Sequence, residues 1–600
     1  ELKAQGFVGE DLVFDLPLQR QTVAAQSSAT YRHPIQVPVQ LGANQGVIRW
    51  ELSAWDSQSQ QLMDQLHFEQ HWQALVPVRT QQVIWQQIQP NQSQPLQLSV
   101  PATAVKVGEH YLGGVQLRLQ PSLGGQQQIR DWFADYPYTC FEQQASKYIA
   151  LHNVEQWQRL LQELPSYLDE KQLLRYFPSP YLSGSAGLNA YLLSLSAYQP
   201  TELALPEALA QQLLSGLMHY VEGRRDQPHT DAKQQVALYL TALDALARYD
   251  LIRPELFDSL SMAPASWPTS ALIDGLHVLQ HPVFKQNPSA VQELRQAIET
   301  TLSQRLTSRG SALFFADTAQ NRMPGLMVSP VTNQARLLLT VAELPHWQDR
   351  IPALMHGLLS QQRLGRWGTT TENSWALLAL ERIDQNESIS GRVSVQRGAQ
   401  ASQDVHWNGS ASTENSVSQS WPWEQNAPIT VNNQSDGALW VQLQAQAAVP
   451  VTEERAEGYR IQREVVPVQQ AQAGQWQVGD VYRVNLTIEA EYAGVWAVIN
   501  DAVPAGASVL GSGLGRDAVL VPETTSGDRT ELTPSYIERL HSGYRAYIDY
   551  LPEGRSTLSY MVRLNTAGHF VLAPTEVESL YDASVQAQLP VEAITVHAAP

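Results

Sequence analysis

Hydrophobic positions change their spacing twice along this chain of 600 residues. Over residues 1–125 they fall in short alternating or β-branched stretches, such as "QLMDQLHFEQHWQALVPVRTQQVIWQQIQ" and "GVQLRLQP", with Pro and Gly between them. That pattern predicts β structure. From about 126 to 385 the spacing becomes three and four, in "AGLNAYLLSLSAY", "PEALAQQLLSGLMHYVEG", "DAKQQVALYLTALDALARYD", "AVQELRQAIETTLSQRL" and "TENSWALLALERI". Breakers at Pro206, Gly223, Pro254, Pro268 and Pro288 separate these windows. Some ten to twelve successive helices on short loops predict an α/α array or toroid, in which helix pairs share a core. From about 389 the period returns to two, in "GRVSVQ", "GALWVQLQAQ", "DVYRVNLTIEAEY" and "STLSYMVRL", with Gly, Asn and Pro at the turns.

The order is therefore β, a large helical block, then β again. Residues 389–452 are short for an independent domain, so they are expected to pair with strands near 75–120. The helical block would then be an insertion in one β-sandwich. Residues 453–600 suffice for a separate sandwich of Greek-key type. The resulting expectation is an α+β multidomain chain divided at 1–75, 76–125, 126–388, 389–452 and 453–600.

Composition narrows the partners. An apolar fraction of 43% excludes wholesale disorder, and a net charge of −19, from 58 acidic against 39 basic residues, argues against nucleic acid or an anionic membrane. No run of about 18 apolar residues is present to span a bilayer. The N-terminus "ELKAQGFVGEDLVFDLPLQ" lacks a basic-then-apolar leader and opens without Met, so the chain is expected to be a piece of a longer precursor. The 15 histidines show no ligand spacing, so no metal is expected. No phosphate loop of the G-x-x-x-x-G-K-[ST] type occurs, and the glycine cluster "GSGLGRDAVLV" (511–521) reads as a turn.

One cysteine, Cys140, stands in "YPYTCFEQQASKY". A lone thiol is either a small buried hydrophobe or chemically special. Gln143 follows three residues on, so one helical turn brings the two side chains together. A thiolate beside a carboxamide carbon can displace ammonia and leave an internal thioester, a stored acyl donor. Such a bond lasts only where water and amines are excluded, and Tyr136, Tyr138 and Phe141 can supply part of an aromatic wall. The basic residues are also skewed, 33 arginines against six lysines with none beyond Lys285. Codon bias accounts for this, and so does a need to keep amines away from an acylating group. Lys147, close after Cys140, is expected to point to solvent.

"DWFADYPYTCFEQQASK" resembles the thioester signature of the bacterial α2-macroglobulins, relatives of the animal α2-macroglobulins and complement thioester proteins. "LRYFPSPYLSGSAGLNAYLLSLSA" is similar to an early hairpin of that family's helical domain, and "GLLSQQRLGRWGTTTENSWALLAL" to its last helices. "INDAVPAGASVL" and "RAYIDYLPEGRSTLSYMVRLNTAGHFVLAPTEVESLYD" resemble the C-terminal macroglobulin domain, and the resemblance covers roughly residues 75–600. It implies an α/α toroid thioester domain inserted in a CUB-like β-sandwich and flanked by macroglobulin-type sandwiches. It also implies a broad-spectrum protease inhibitor of the periplasm, consumed once, with no cofactor beyond its own thioester. Target proteases would be acylated on lysine amines after cutting a bait upstream, and cell-envelope proteins are further possible partners.

Carried over residue by residue, Cys140 supplies sulfur and Gln143 the acyl carbon. Glu142 belongs to the motif, with a local hydrogen bond as the role its spacing allows. Tyr581 is the covering aromatic, and Leu580 stands where the family has Met. Thr139 and Gln144 depart from the Gly and Thr common at their positions. His229 and His277, in the domain where some animal relatives place a reactive histidine, read as structural. A Cys140–His152 nucleophile pair lacks a third orienting group. Two other readings remain: a carbohydrate-active enzyme on an α/α toroid, for which only Asp169 and Glu170 offer carboxylates, expected on a helix where adjacent side chains point apart and charged surface is the easier account, and an envelope scaffold without a thioester.

Overall fold

A computed structural model of the chain describes residues 1–24, 27–28, 33, 35, 44–120, 127–223, 231–258, 260, 263–286, 288–383, 389–408, 417–511 and 530–599. His229 and residues 512–521 of the glycine cluster lie outside them. The described chain forms two compact units, one built from residues 1–119, 391–406 and 417–450, the other from 120–390, 407–416 and 451–600.

Among the described residues the first unit is built of strands, with one 3-10 turn at Trp423–Gln425. Strands Leu2–Val8, Asp11–Asp15, Gln45–Trp55 and Leu62–Gln73 make a four-stranded antiparallel sheet centred on Phe14, Ile48 and Trp50. Two further four-stranded sheets each draw strands from both sides of the helical block. In one, Gln92–Leu96 pairs with Ile429–Ser435, which pairs with Ser390–Arg397. In the other, Val78–Ile88 pairs with Leu439–Ala448, and Gly113–Gln120 with Val417–Pro422. Leu117, Leu119, Val431, Val441 and Leu443 are buried at alternate or near-alternate positions on these strands, the period-two signal realised as a core face.

Among the described residues the second unit begins with twelve α-helices: α1 Gln127–Asp135, α2 Phe141–Ala150, α3 Val154–Tyr167, α4 Ala186–Ser196, α5 Glu207–Val221, α6 Ala232–Ala247, α7 Pro254–Asp258, α8 Thr269–Val278, α9 Pro288–Arg305, α10 Pro330–Val341, α11 Ile351–Ser360 and α12 Thr370–Ile383. Among these, α2, α4, α6, α8, α10 and α12 each contact the next, and α12 returns to α2. The cycle explains the side-chain pattern. Helix α4 is buried along its entire length and α10 almost so, whereas α3 keeps a solvent face and buries Trp157, Leu160, Leu161 and Leu164. Helix starts follow local chemistry, with capping boxes at Asp231/Gln234 and Ser329/Thr332. Pro206 and Pro268 stand at N-caps, and Pro254 and Pro288 open their helices. One element departs from the helical pattern: a short hairpin, Leu306–Arg309 with Ala312–Phe315, follows α9.

The rest of the second unit is a β-sandwich. A six-stranded sheet runs Arg455–Glu457, Gln586–Leu589, Thr575–Ser579, Gly494–Ala502, Gly543–Leu551, Tyr536–Leu540, and a second sheet centres on Val481–Ala490 between Tyr459–Gln469 and Gly554–Arg563. Tyr482, Val484, Leu486, Ile488, Ile499, Ile548, Val562 and Val577 fill the space between them.

Candidate thiol–carboxamide site

Cys140 is the N-cap of α2, with extended backbone (φ −63°, ψ 158°), and Gln143 is the third residue of the helix. N-cap and N3 side chains face one another at a helix start, the geometry that capping boxes use. Cys140, Glu142 and Gln143 are all fully buried. The Cys140 side chain closes no capping hydrogen bond, and the N–H groups of Glu142 and Gln143 and the Tyr581 hydroxyl are the donors that act on its thiol. Burial first, and then the Glu142 charge, push the thiol well above its usual pKa, and those three donors only partly oppose the shift. Gln143 Nε2 donates to the Tyr136 hydroxyl at 3.1 Å. Its carbonyl oxygen is buried and accepts no hydrogen bond.

Glu142 does more than hold its own turn. One carboxylate oxygen accepts from Ser146 Oγ at 2.6 Å and Thr370 Oγ1 at 2.9 Å, the other from Tyr581 at 2.9 Å and Thr370 at 3.0 Å. Helix α2, the start of α12 and the C-terminal sandwich thus meet on one carboxylate. Burial raises its pKa, and the hydroxyl donors hold the shift in check. A second layer backs this one: the Tyr191 hydroxyl lies 2.7 Å from Ser146 Oγ.

Tyr581 leaves the sandwich just after strand Thr575–Ser579 and enters this space almost fully buried, its ring 6.1 Å from that of Tyr176. Its loop is held on both sides. Leu580 N–H donates to Trp496 O at 2.9 Å, Asp582 pairs with Arg322 at 2.5 Å, and Ala583 lies against Gly368. Leu580 itself is buried. On the other flank the Tyr138 hydroxyl bonds Glu578 and accepts from Asn500 Nδ2 at 2.9 Å, and Arg545 lies over its ring and donates to Pro137 O at 2.9 Å. Tyr136 meets Tyr138 edge-on at 5.4 Å. Phe141, fully buried, turns its ring to Tyr167 at 5.0 Å. Among the eight residues singled out from the sequence, Cys140, Glu142, Gln143, Tyr136 and Tyr581 share one cluster. Tyr138, Phe141 and Leu580 pack around it.

Two expectations are corrected. Lys147 does not point to solvent: its ammonium donates to Ala134 O and Tyr136 O, each at 3.0 Å. Ala134 lies in the last turn of α1 and Tyr136 just beyond it, so the Lys147 ammonium, reaching across from α2, caps that helix end. Partial burial lowers the Lys147 pKa, opposed by Asp135. Asp169 and Glu170 are not helical, since α3 ends at Tyr167. Asp169 accepts from the N–H groups of Lys171, Leu173 and Gly184, a loop staple that leaves no paired acid and base. His152 sits beyond the C-terminus of α2, the end opposite Cys140, about 15 Å away by helical rise. His277 lies 2.6 Å from Asp244 in a buried ion cluster. No group of three or more His, Cys, Asp or Glu among the described residues has metal-binding geometry, and no described helix is long and apolar enough to cross a membrane.

Residues 458–583 match the family model of the bacterial alpha-2-macroglobulin MG10 domain. Two α+β structures from E. coli have the same fold as the chain: native alpha-2-macroglobulin spanning domain MG7 to the C-terminus (TM-score 0.68, 18% identity, 92% of this chain and 87% of that one) and the native conformation of the E. coli protein (TM-score 0.68, 18%, 99% and 37%). Salmonella alpha-2-macroglobulin reacted with methylamine is a third (TM-score 0.66, 19%, 92% and 36%). No curated protein sequence matches. The chain thus has the multidomain α+β fold of the C-terminal region of the bacterial alpha-2-macroglobulins, and within it the C-terminal sandwich is the part that matches the MG10 family model. It spans little more than a third of the length of the two longer relatives.

Proposed function

We propose that this chain is the reactive part of a bacterial α2-macroglobulin that traps proteases covalently through a Cys140–Gln143 thioester. The observation that carries the reading is Gln143. A carboxamide is a poor group to bury with its oxygen unbonded, at a cost of about 1–3 kcal/mol. Condensation with the thiol removes the amide donors and leaves a carbonyl that is a weaker acceptor, which suits this dry, aromatic-walled position. The closed cycle of helices is read as the α/α toroid that presents the bond, inserted in a CUB-like sandwich, with Tyr581 as its lid.

In the trapping step a lysine amine of a protease attacks the acyl carbon. The new amide forms, the carbon–sulfur bond breaks, and the amine proton passes to the sulfur, freeing Cys140. The bond is spent once, which makes the protein an inhibitor and not an enzyme. On the same resemblance the trap is read as periplasmic, with cell-envelope proteins as further partners.

Intact mass tests this. Freshly purified protein should weigh one ammonia less than its sequence, and methylamine should add to it while releasing one titratable thiol. A plain sequence mass with a thiol already free returns the chain to a scaffold role.

A further inference from the structure

We propose that Tyr581 and Glu142 form a proton relay that drives condensation of Cys140 with Gln143, so the residue that covers the bond also helps to make it. This rests on the thioester reading above. Three observations support it. The Tyr581 hydroxyl donates to Glu142 Oε2 at 2.9 Å, in the same buried cluster as Cys140 two residues before Glu142, so its oxygen is free to accept the thiol proton while its own proton moves on. The hydrogen-bond partners of Glu142 are hydroxyls, from Ser146, Thr370 and Tyr581; a guanidinium in their place would hold the carboxylate permanently charged. And Gln143 Nε2, the leaving nitrogen, is held by Tyr136 at the other edge of the same cluster.

The step balances. The thiol proton passes to Tyr581 as Tyr581 gives its own to Glu142; sulfur bonds to the Gln143 acyl carbon. The carbon–nitrogen bond then breaks as the proton taken up by Glu142 is given back to the departing nitrogen. Ammonia leaves, and Glu142 is again a carboxylate. Tyr581 takes the thiol proton and Glu142 returns one to the nitrogen, so both are catalytic residues. Because Tyr581 belongs to the C-terminal sandwich, the bond would close only after that sandwich docks.

The test follows ammonia loss by intact mass as the full chain refolds from denaturant, across pH, for wild type, Tyr581→Phe, Glu142→Gln and Glu142→Asp. Phe keeps the aromatic cover and removes only the hydroxyl. Titratable neighbours of Glu142 are Cys140, Tyr136, Tyr176, Tyr191 and Tyr581, all of them pushed away from neutrality, so Glu142 ionises first as pH rises. The relay predicts a rate that climbs with Glu142 ionisation in wild type and lacks that limb in Glu142→Gln. Tyr581→Phe and Glu142→Gln should each be slower by on the order of a hundredfold, and Glu142→Asp should recover part. Incorporation of isotopically labelled ammonium into Gln143 by already folded protein, the same step in reverse, removes any dependence on refolding yield. Condensation at the wild-type rate and pH profile in Tyr581→Phe or Glu142→Gln overturns the relay alone. Wild type that never loses ammonia overturns the thioester and the relay together.

Discussion

Glu142 is where the energetics of single residues concentrate. Burial holds its pKa above the ordinary 4.5, so the folded chain binds that proton more tightly than the unfolded one does. The sign follows: its contribution to stability is whole below pH 4.5 and is lost as pH rises through the raised value. Glu142→Gln, similar in shape and without the proton, should remove this slope. Measured as denaturation midpoints, the lead of wild type over the variant is expected to shrink from about pH 4.5 upward; parallel curves would refute the assignment. Glu142→Ala should be worse at every pH, since three buried hydroxyls lose their acceptor at about 1–3 kcal/mol each. Only part of this was legible beforehand. Ser146 stands four residues after Glu142 on one helix face, a spacing any reader can use. Thr370 is 228 residues away and Tyr581 439, and no periodicity links them; Tyr581 came from a motif resemblance and Thr370 from nothing.

At the scale of elements, the helical cycle is tied by charge as well as by packing. Asp244 on α6 pairs with Arg248 at 3.0 Å and meets His277 of α8, while Arg336 of α10 bonds Asp274 of α8, which accepts from Thr241 of α6 at 2.7 Å. The arginines draw Asp244 well below the usual carboxyl range despite its burial, whereas burial and the Asp244 charge push Asp274 up to about 7. Asp244→Asn would leave Arg248 buried and uncompensated. We expect a loss of about 3–5 kcal/mol in chemical unfolding of the full chain, and a loss below 1 kcal/mol would show the cluster to be dispensable. The helices themselves were legible because α-helical spacing persists over ten or more residues and proline marks the starts. The hairpin at 306–315 escaped because four-residue strands cannot establish a period. Its signal was Gly310-Ser311, a two-residue turn with Gly310 at φ +59°, hidden behind the long α9 pattern.

Across the second unit, the helical block and the C-terminal sandwich meet at the lid loop, and the fit there depends on a missing side chain. A Cβ on Gly368 would come within 2.5 Å of the Ala583 Cβ, two residues after Tyr581. Gly368 carries no left-handed backbone, so Gly368→Ala is a purely steric probe. The added methyl has to displace the loop, because the segment behind it, residues 367–369, is pinned by Asn373 and Glu372 through hydrogen bonds of 2.7–3.1 Å. Overpacking of this kind costs ~1–3 kcal/mol, drawn from the closed position of Tyr581. At about 1.4 kcal/mol per decade, the population with the lid lifted should rise roughly ten- to a hundredfold. Methylamine uptake, or alkylation of a free Cys140 by iodoacetamide, should accelerate in proportion, with helical circular dichroism unchanged. Ala583→Gly in the same chain removes the opposing methyl and should return the rate towards wild type, the coupling expected of two atoms in contact. If Gly368→Ala reacts no faster than wild type, the loop is not what closes the site, and shielding must come from the Tyr136–Tyr138 wall instead.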